Sequence, residues 1–217
     1  MLPANLNWTA TVTGDDPDQQ VADTIALMSR YVREDAETPI VREAANEAAG
    51  LADDPVEGVF WYVKRLIRFQ HDDVTAAPLT SLLSQRGINA PIVEVLIRPV
   101  DMLSWHADTG NRQIGDCDDY AMLTAALLRA QGIPAKFVTV AVDPSMPNQF
   151  SHVYVAAYPD GQRIALDTSH GEAAGWEAPV VARKEEWDID AGLVGWLLAG
   201  LLVLALWSQW GKKRRTS

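Results

Sequence analysis

Apolar positions recur at helical spacing through the first seventy residues. Residues 1–14 are polar and read as a short arm, closed by the break Gly14-Asp15-Asp16-Pro17; Val21, Ile25, Met28 and Val32 then follow three or four residues apart. Asp16 is placed to cap this helix, and Pro17 suits its first turn, where a missing N–H has no partner to lose. A second helix covers 38–49 and stops at Gly50. A third opens with the same cap-then-proline pair, Asp54-Pro55, and turns Val56, Val59, Phe60, Val63 and Ile67 inward, with Trp61-Tyr62 and Lys64-Arg65 on its flanks. Residues 71–90, broken by Pro78 and Gly87, read as irregular, and the apolar run 92–97 is ended by Pro99.

A polar loop over 108–115 leads to a helix from Cys117 to about Ala130, stopped by Gly132 and Pro134. Ala121 to Leu128 is apolar nearly all round, which predicts a buried, rigid helix. Beyond it the period switches to two. Residues 136–142 and 152–158 read as strands, and the turn Pro159-Asp160-Gly161 leads to a third strand over 162–167. Helices, a loop, a central helix and an antiparallel meander make an α+β domain over 15–170. Residues 171–190 read as a tether.

The chemistry changes after that. Ala191 to Trp210 is 20 residues without a charge, and as a helix it spans about 30 Å, the thickness of a bilayer's hydrocarbon core. Trp207 and Trp210 sit where an interfacial aromatic belt lies, and the basic tail 211–217 carries Lys212-Lys213-Arg214-Arg215. A single membrane span is expected. Positive-inside reasoning keeps that tail in the cytoplasm and puts the domain across the membrane, yet residues 1–8 show no basic or apolar signal region to start export. A tail-anchored enzyme facing the cytoplasm needs no export signal but must carry four cations across. Placement in a membrane or virion by a phage's own route satisfies both, and the side of the membrane stays open.

Apolar residues at 48% and charged residues at 22% fit a folded domain and exclude disorder as the default. A formal charge of −11, with no basic cluster before residue 212, sets nucleic-acid binding aside. The single cysteine forbids an internal disulfide, which fits a reducing compartment.

That cysteine lies at a loop-to-helix junction, in Gly115-Asp116-Cys117-Asp118-Asp119-Tyr120. Unpaired N–H groups at a helix start favour a thiolate, and the Cys117 N–H can face an oxyanion formed beside the sulfur. The flanking aspartates oppose the thiolate, so a neighbouring cation is required, and an imidazolium is the natural supplier. His152 opens one predicted strand and Asp167 closes the next. They lie seven and six residues from the two ends of the Pro159–Gly161 turn, so a tight hairpin makes them neighbours, as a carboxylate orienting an imidazole requires. Taken singly, Cys117 reads as packing, His152 as a half-exposed strand residue and Asp167 as a turn former; occurring together in order, they read as a triad. Asp118 and Asp119 read as solvated first-turn charges, one of them able to touch substrate. His71, His106 and His170 lack ligand spacing, so no metal site is expected. Trp61, Tyr62 and Phe69 read as core or cleft wall. No glycine-rich phosphate loop is present, and no cofactor is expected.

The blocks Gly115-Asp116-Cys117-Asp118-Asp119-Tyr120-Ala121 and Leu127-Leu128-Arg129-Ala130-Gln131-Gly132-Ile133-Pro134-Ala135, with the segments at His152 and Asp167, resemble the transglutaminase-like superfamily over roughly residues 55–170. The resemblance implies a papain-like core with Cys117 as nucleophile, His152 as general base and acid, and Asp167 as its orienter. The family's aromatic two residues after the histidine is here Tyr154. No motif secures an oxyanion partner; Trp105 and Gln113 are upstream candidates, and Asp116 and Asp118 candidate substrate contacts. The expectation is a membrane-anchored acyl-transfer enzyme acting on a protein or peptide, a peptidoglycan peptide or virion protein in a phage setting. The alternative is a non-catalytic membrane- or virion-associated protein of the same fold.

Overall fold

The computed structural model describes residues 8–12, 16–72, 74, 77, 81, 84, 85, 92–178 and 182–191. Three helices come first: α1 (Pro17–Asp35), α2 (Pro39–Ala49) and α3 (Pro55–Leu66). Each starts on proline, and two are capped as expected. Asp16 Oδ1 accepts from the N–H groups of Asp18 (3.0 Å) and Gln19 (3.3 Å), and Asp54 Oδ1 from that of Val56 at 2.7 Å. Ile67 is buried, but as the first residue of strand β2 (Ile67–Phe69) and not as part of the third helix.

Two expectations for this half change. Trp8–Val12, within the expected arm, forms strand β1, antiparallel to β3 (Ile92–Ile97) with Trp8 opposite Ile97. Pro99, read as a stop, instead begins helix α4 (Pro99–Thr109), whose start is capped from a distance. The buried Asp35 at the end of α1 accepts the Val100 N–H at 3.3 Å and pairs with the Arg98 guanidinium, which lies 4.7 Å from the Tyr31 ring centroid. No local pattern around Pro99 reveals a cap supplied 65 residues away.

Strand β4 (Gln113–Gly115) runs parallel to β2, with Phe69 opposite Gly115, and feeds straight into helix α5 (Cys117–Ala130). Residues 118 to 128 of α5 are all buried. The helix is enclosed by α1, α2 and α3 and by a four-stranded sheet of order β7-β6-β5-β8. These strands are β5 (Ala135–Ala141), β6 (His152–Ala157), β7 (Ile164–Leu166) and β8 (Arg183–Asp188), every pair antiparallel. Phe137, Val153, Val155 and Leu166 join the main core, while Val138, Val140, Tyr154, Ala156 and Ala165 form a second cluster on the sheet's other face.

β8 lies within the segment read as a tether, so that reading is corrected for 183–188: the strand pairs along β5 from Lys136↔Asp188 to Ala141↔Arg183. Its sequence RKEEWD offers no apolar alternation, because it is an edge strand whose charges are used laterally. Arg163 of the β7 side reaches Glu186 at 2.7 Å, and Trp187 Nε1 donates to Thr139 Oγ1 at 2.8 Å. The expected membrane span lies, from residue 192 on, outside the described residues, as does the basic tail. Among the described residues no helix is long and apolar enough to cross a membrane.

Helices α2 and α3 touch backbone to backbone at Gly58, where a Cβ would stand 2.2 Å from the Ala48 carbonyl oxygen. Gly58→Ala is therefore expected to lower unfolding free energy by about 1–3 kcal/mol in urea titration. Gly50→Ala, whose Cβ would meet nothing nearer than 3.5 Å, should be close to neutral in the same assay.

Candidate active site

Cys117 is placed by the strand before it. β4 is held to β2, and the Gln70 N–H closes on the Gly115 carbonyl at 2.9 Å, so the chain arrives at the helix start fixed on one side. Gly115 is needed there: a Cβ would lie 2.7 Å from Asp119 Oδ2 and 2.8 Å from Asp119 Cβ. Asp119 occupies that space because its Oδ1 accepts the Ile97 N–H of β3 at 2.8 Å. Asp118 and Asp119, expected as solvated charges, are in fact 2% and 1% exposed. The expectation fails because the first turn of α5 is roofed by β3 and β4, and each carboxylate has one oxygen held by a main-chain N–H, Asp118 Oδ1 by that of Asp119 at 2.8 Å and Asp119 Oδ1 by that of Ile97. Cys117 itself stays half-exposed at the first helical position.

The hairpin brings His152 and Asp167 together as expected. His152 Nε2 and Asp167 Oδ2 are 2.7 Å apart, with side-chain exposures of 7% and 0%. The other carboxylate oxygen, Oδ1, accepts from Ser169 Oγ and from the His170 N–H, both at 2.9 Å. Both oxygens are thus engaged and the carboxylate cannot rotate freely. The turn that wraps it is anchored twice: Gly171 N–H donates to the Asp167 carbonyl at 2.7 Å, and Lys64 Nζ to the Gly171 carbonyl at 2.6 Å. Thr168 Oγ1 lies 2.9 Å from Thr124 Oγ1, which docks the strand end onto α5 about two turns from Cys117. Burial pushes the Asp167 carboxyl up, but the hydrogen bond and charge of His152, with the His170 and Ser169 donors, pull it down further, leaving it below the ordinary carboxylate range.

Cys117, His152 and Asp167 line one cleft of about 780 Å³. Of the other anticipated residues, Asp116 and Asp118 line it as well. Asp116 is 8% exposed and its Oδ1 has no hydrogen-bond partner among the described residues. Trp105 and Gln113 are not brought to the cleft wall. Trp105 packs half-buried on the core from α4, and Gln113 is buried in β4 with its Oε1 accepting the Ile114 N–H at 3.1 Å. Among the cleft residues that sequence reasoning did not assign to the site are His71 and His170, and Phe69, read as core or cleft wall, lines it with them. The Phe69 ring takes both imidazoles edge-on, at 4.9 Å and 5.0 Å between centroids, and His170 stands 4.8 Å from His152. The available signal was position: His170 follows Asp167 by three residues, and Phe69 ends the strand that pairs with β4. Burial, then the charge of His152, lowers the His170 pKa.

Residues 98–168 match the family model described as the transglutaminase-like superfamily. The match covers about a third of the chain. No curated protein matches the chain. Two crystal structures are similar to it. One is a candidate cysteine protease of Cytophaga hutchinsonii at 18% identity and a TM-score of 0.42, covering 83% of this chain and 58% of that one. The other is a candidate protease of Parabacteroides distasonis at 14% identity and 0.41, covering 73% of this chain and 30% of that one. The chain therefore spans less than two thirds of either.

Among the described residues, two groups in this site offer metal-ligand atoms within 4.8 Å of one another: His152, Asp167 and His170, and Asp116, Asp118 and Asp119. The earlier reading that His170 lacks partners at ligand spacing is corrected by the first. In it, however, both Asp167 oxygens already hold hydrogen bonds, so the site is satisfied as a hydrogen-bond network.

Because the folded-state pKa of Asp167 is depressed, the ionised carboxylate adds stability above its unfolded value of about 3.9 and loses it as pH falls through the lower folded value. Urea unfolding of Asp167→Asn should show a stability deficit against the parent at pH 5. The deficit should narrow only below about pH 4.

Proposed function

We propose that the chain is a cysteine acyl-transfer enzyme working through a thioester on Cys117, with His152 as its base and acid and Asp167 as the orienter. The observation that carries this is the buried 2.7 Å contact between His152 Nε2 and Asp167 Oδ2, in a cleft that Cys117 also lines. An ionised Asp167 only accepts, so the proton between them belongs to Nε2, and the lone pair of the neutral ring is left on Nδ1.

Nδ1 takes the Cys117 thiol proton, and the thiolate attacks an amide carbonyl carbon. The Cys117 N–H, at the positive end of a rigid helix, stabilises the oxyanion. As the C–N bond breaks, the imidazolium returns its proton to the departing amine, and a thioester remains. Water, deprotonated by Nδ1, then attacks the thioester carbonyl; the acid leaves and the sulfur regains its proton. A second amine in place of water gives a cross-link. Hydrolysis is the favoured outcome, since water needs no docking site of its own. The substrate is a protein or peptide. The uncharged stretch 191–210, with its terminal tryptophans and four following cations, attaches the enzyme to a membrane as a single span.

A peptide carrying a thiol-directed electrophile in place of the scissile amide should form one adduct, at Cys117, seen by intact mass and peptide mapping. Cys117→Ala should abolish it, and Asp167→Asn should slow it by about 10² or more. Absence of an adduct on folded parent protein would overturn the proposal. For the anchor, the full chain should float with liposomes, and Leu202→Arg with Leu204→Arg should release it; flotation unchanged by the double variant would count against a span.

A further inference from the structure

The cleft does not end at the three reacting residues. One arm runs between α1 and the sheet, walled by Val21 and Ile25 of α1, Val153 of β6, Phe150 in the loop before it, and Trp176 beyond β7. Ile25 and Val153 are 5% and 7% exposed and form a fixed floor. Val21, Phe150 and Trp176 are half-buried and leave apolar surface to a guest.

This wall is held in place from behind. The Arg183 guanidinium of β8 lies 4.3 Å from the Phe150 ring centroid, and the same group pairs with Asp18 on α1 at 2.7 Å and with Glu185 at 2.6 Å. One arginine therefore ties the helix, the edge strand and the aromatic ring together, which pre-forms the arm before any ligand arrives. Trp176 is steadied in turn by its neighbour Glu177, which accepts from Tyr154 Oη at 2.8 Å and pairs with Arg163 at 2.6 Å.

The electrostatics exclude one class of guest. No lysine or arginine is among the described residues that line the cleft, whereas Asp18, Asp116 and Asp118 line it. An acidic side chain entering the cleft would lose water and meet the Asp116 and Asp118 carboxylates, while the Arg183 guanidinium behind the wall is already paired with Asp18 and Glu185.

We infer that this arm is the acyl-donor subsite: it takes a bulky apolar side chain, of leucine or phenylalanine size, borne by the peptide close to the carbonyl that Cys117 attacks, and it refuses aspartate and glutamate there. The position relative to the carbonyl rests on the proposed function; the binding preference does not.

The test is a set of capped peptides identical except for one residue, Phe, Leu, Gly or Asp. They are titrated into full-length Cys117→Ala protein by NMR, and the same set, carrying the thiol-directed electrophile, is timed against the parent. Phe and Leu peptides should bind at least about tenfold more tightly than Asp. Val21→Ser and Phe150→Ser, two independent changes to the wall checked for folding by thermal melts, should each reduce that preference to within about twofold. Equal affinity for the Leu and Asp peptides, or preference for Asp, overturns the subsite, as does a preference untouched in both folded variants. A clear preference in binding with no adduct in the parent keeps the subsite and removes the catalytic reading. Adduct formation at equal rates for every peptide does the reverse.

Discussion

The burial of helix α5 is the constraint on which the rest of this structure depends. Eleven consecutive residues after Cys117 are removed from solvent, so every side of the helix must be covered by something. The three N-terminal helices cover part of it and the sheet covers the remainder. At its N-terminal end the first residue, the cysteine, is left at a half-open edge. A helix so enclosed cannot rotate or slide without opening voids on several faces at once. Its sulfur is held by the packing of the whole domain, and not by a local loop.

Aspartates do a second job inside this fold. Of the six buried aspartates among the described residues, Asp35, Asp72, Asp119 and Asp167 each accept a main-chain N–H from another segment or from the following turn: Val100, Val95, Ile97 and His170 respectively. Burying a carboxylate is costly, and bonds of this charge-assisted kind, at about 1.5–3 kcal/mol each, offset that cost while fixing chain entries that have no neighbour of their own. Part of the formal charge of −11 is therefore interior wiring. The same device that positions α4 and β3 also orients the imidazole, since Asp167 is one of the four.

Much of this was legible beforehand, and the reasons differ by element. Asp16-Pro17 and Asp54-Pro55 fix helix starts through bonds spanning two or three residues, so a short window contains the whole cause. The His152–Asp167 pairing was legible because a tight turn makes strand positions countable. What failed was decided at long range. Pro99 starts a helix because Asp35 caps it, and Arg183–Asp188 becomes a strand because β5 has an open edge to fill; neither partner is nearby in sequence. The burial of Asp118 and Asp119 follows from strands packed over them, which local polarity contradicts. Gln113 and Trp105 were proposed from proximity along the chain, yet one points into the sheet layer and the other onto the core.

Asp190 is bound by Arg129 at 2.8 Å, near the far end of a 14-residue helix whose first residue is Cys117, about 20 Å away along the axis. Asp190 is thus held at the end of the buried helix opposite the sulfur, so the ion pair that ties β8's trailing residues to the domain stands apart from the cleft, and a change there reaches Cys117 only through the helix itself.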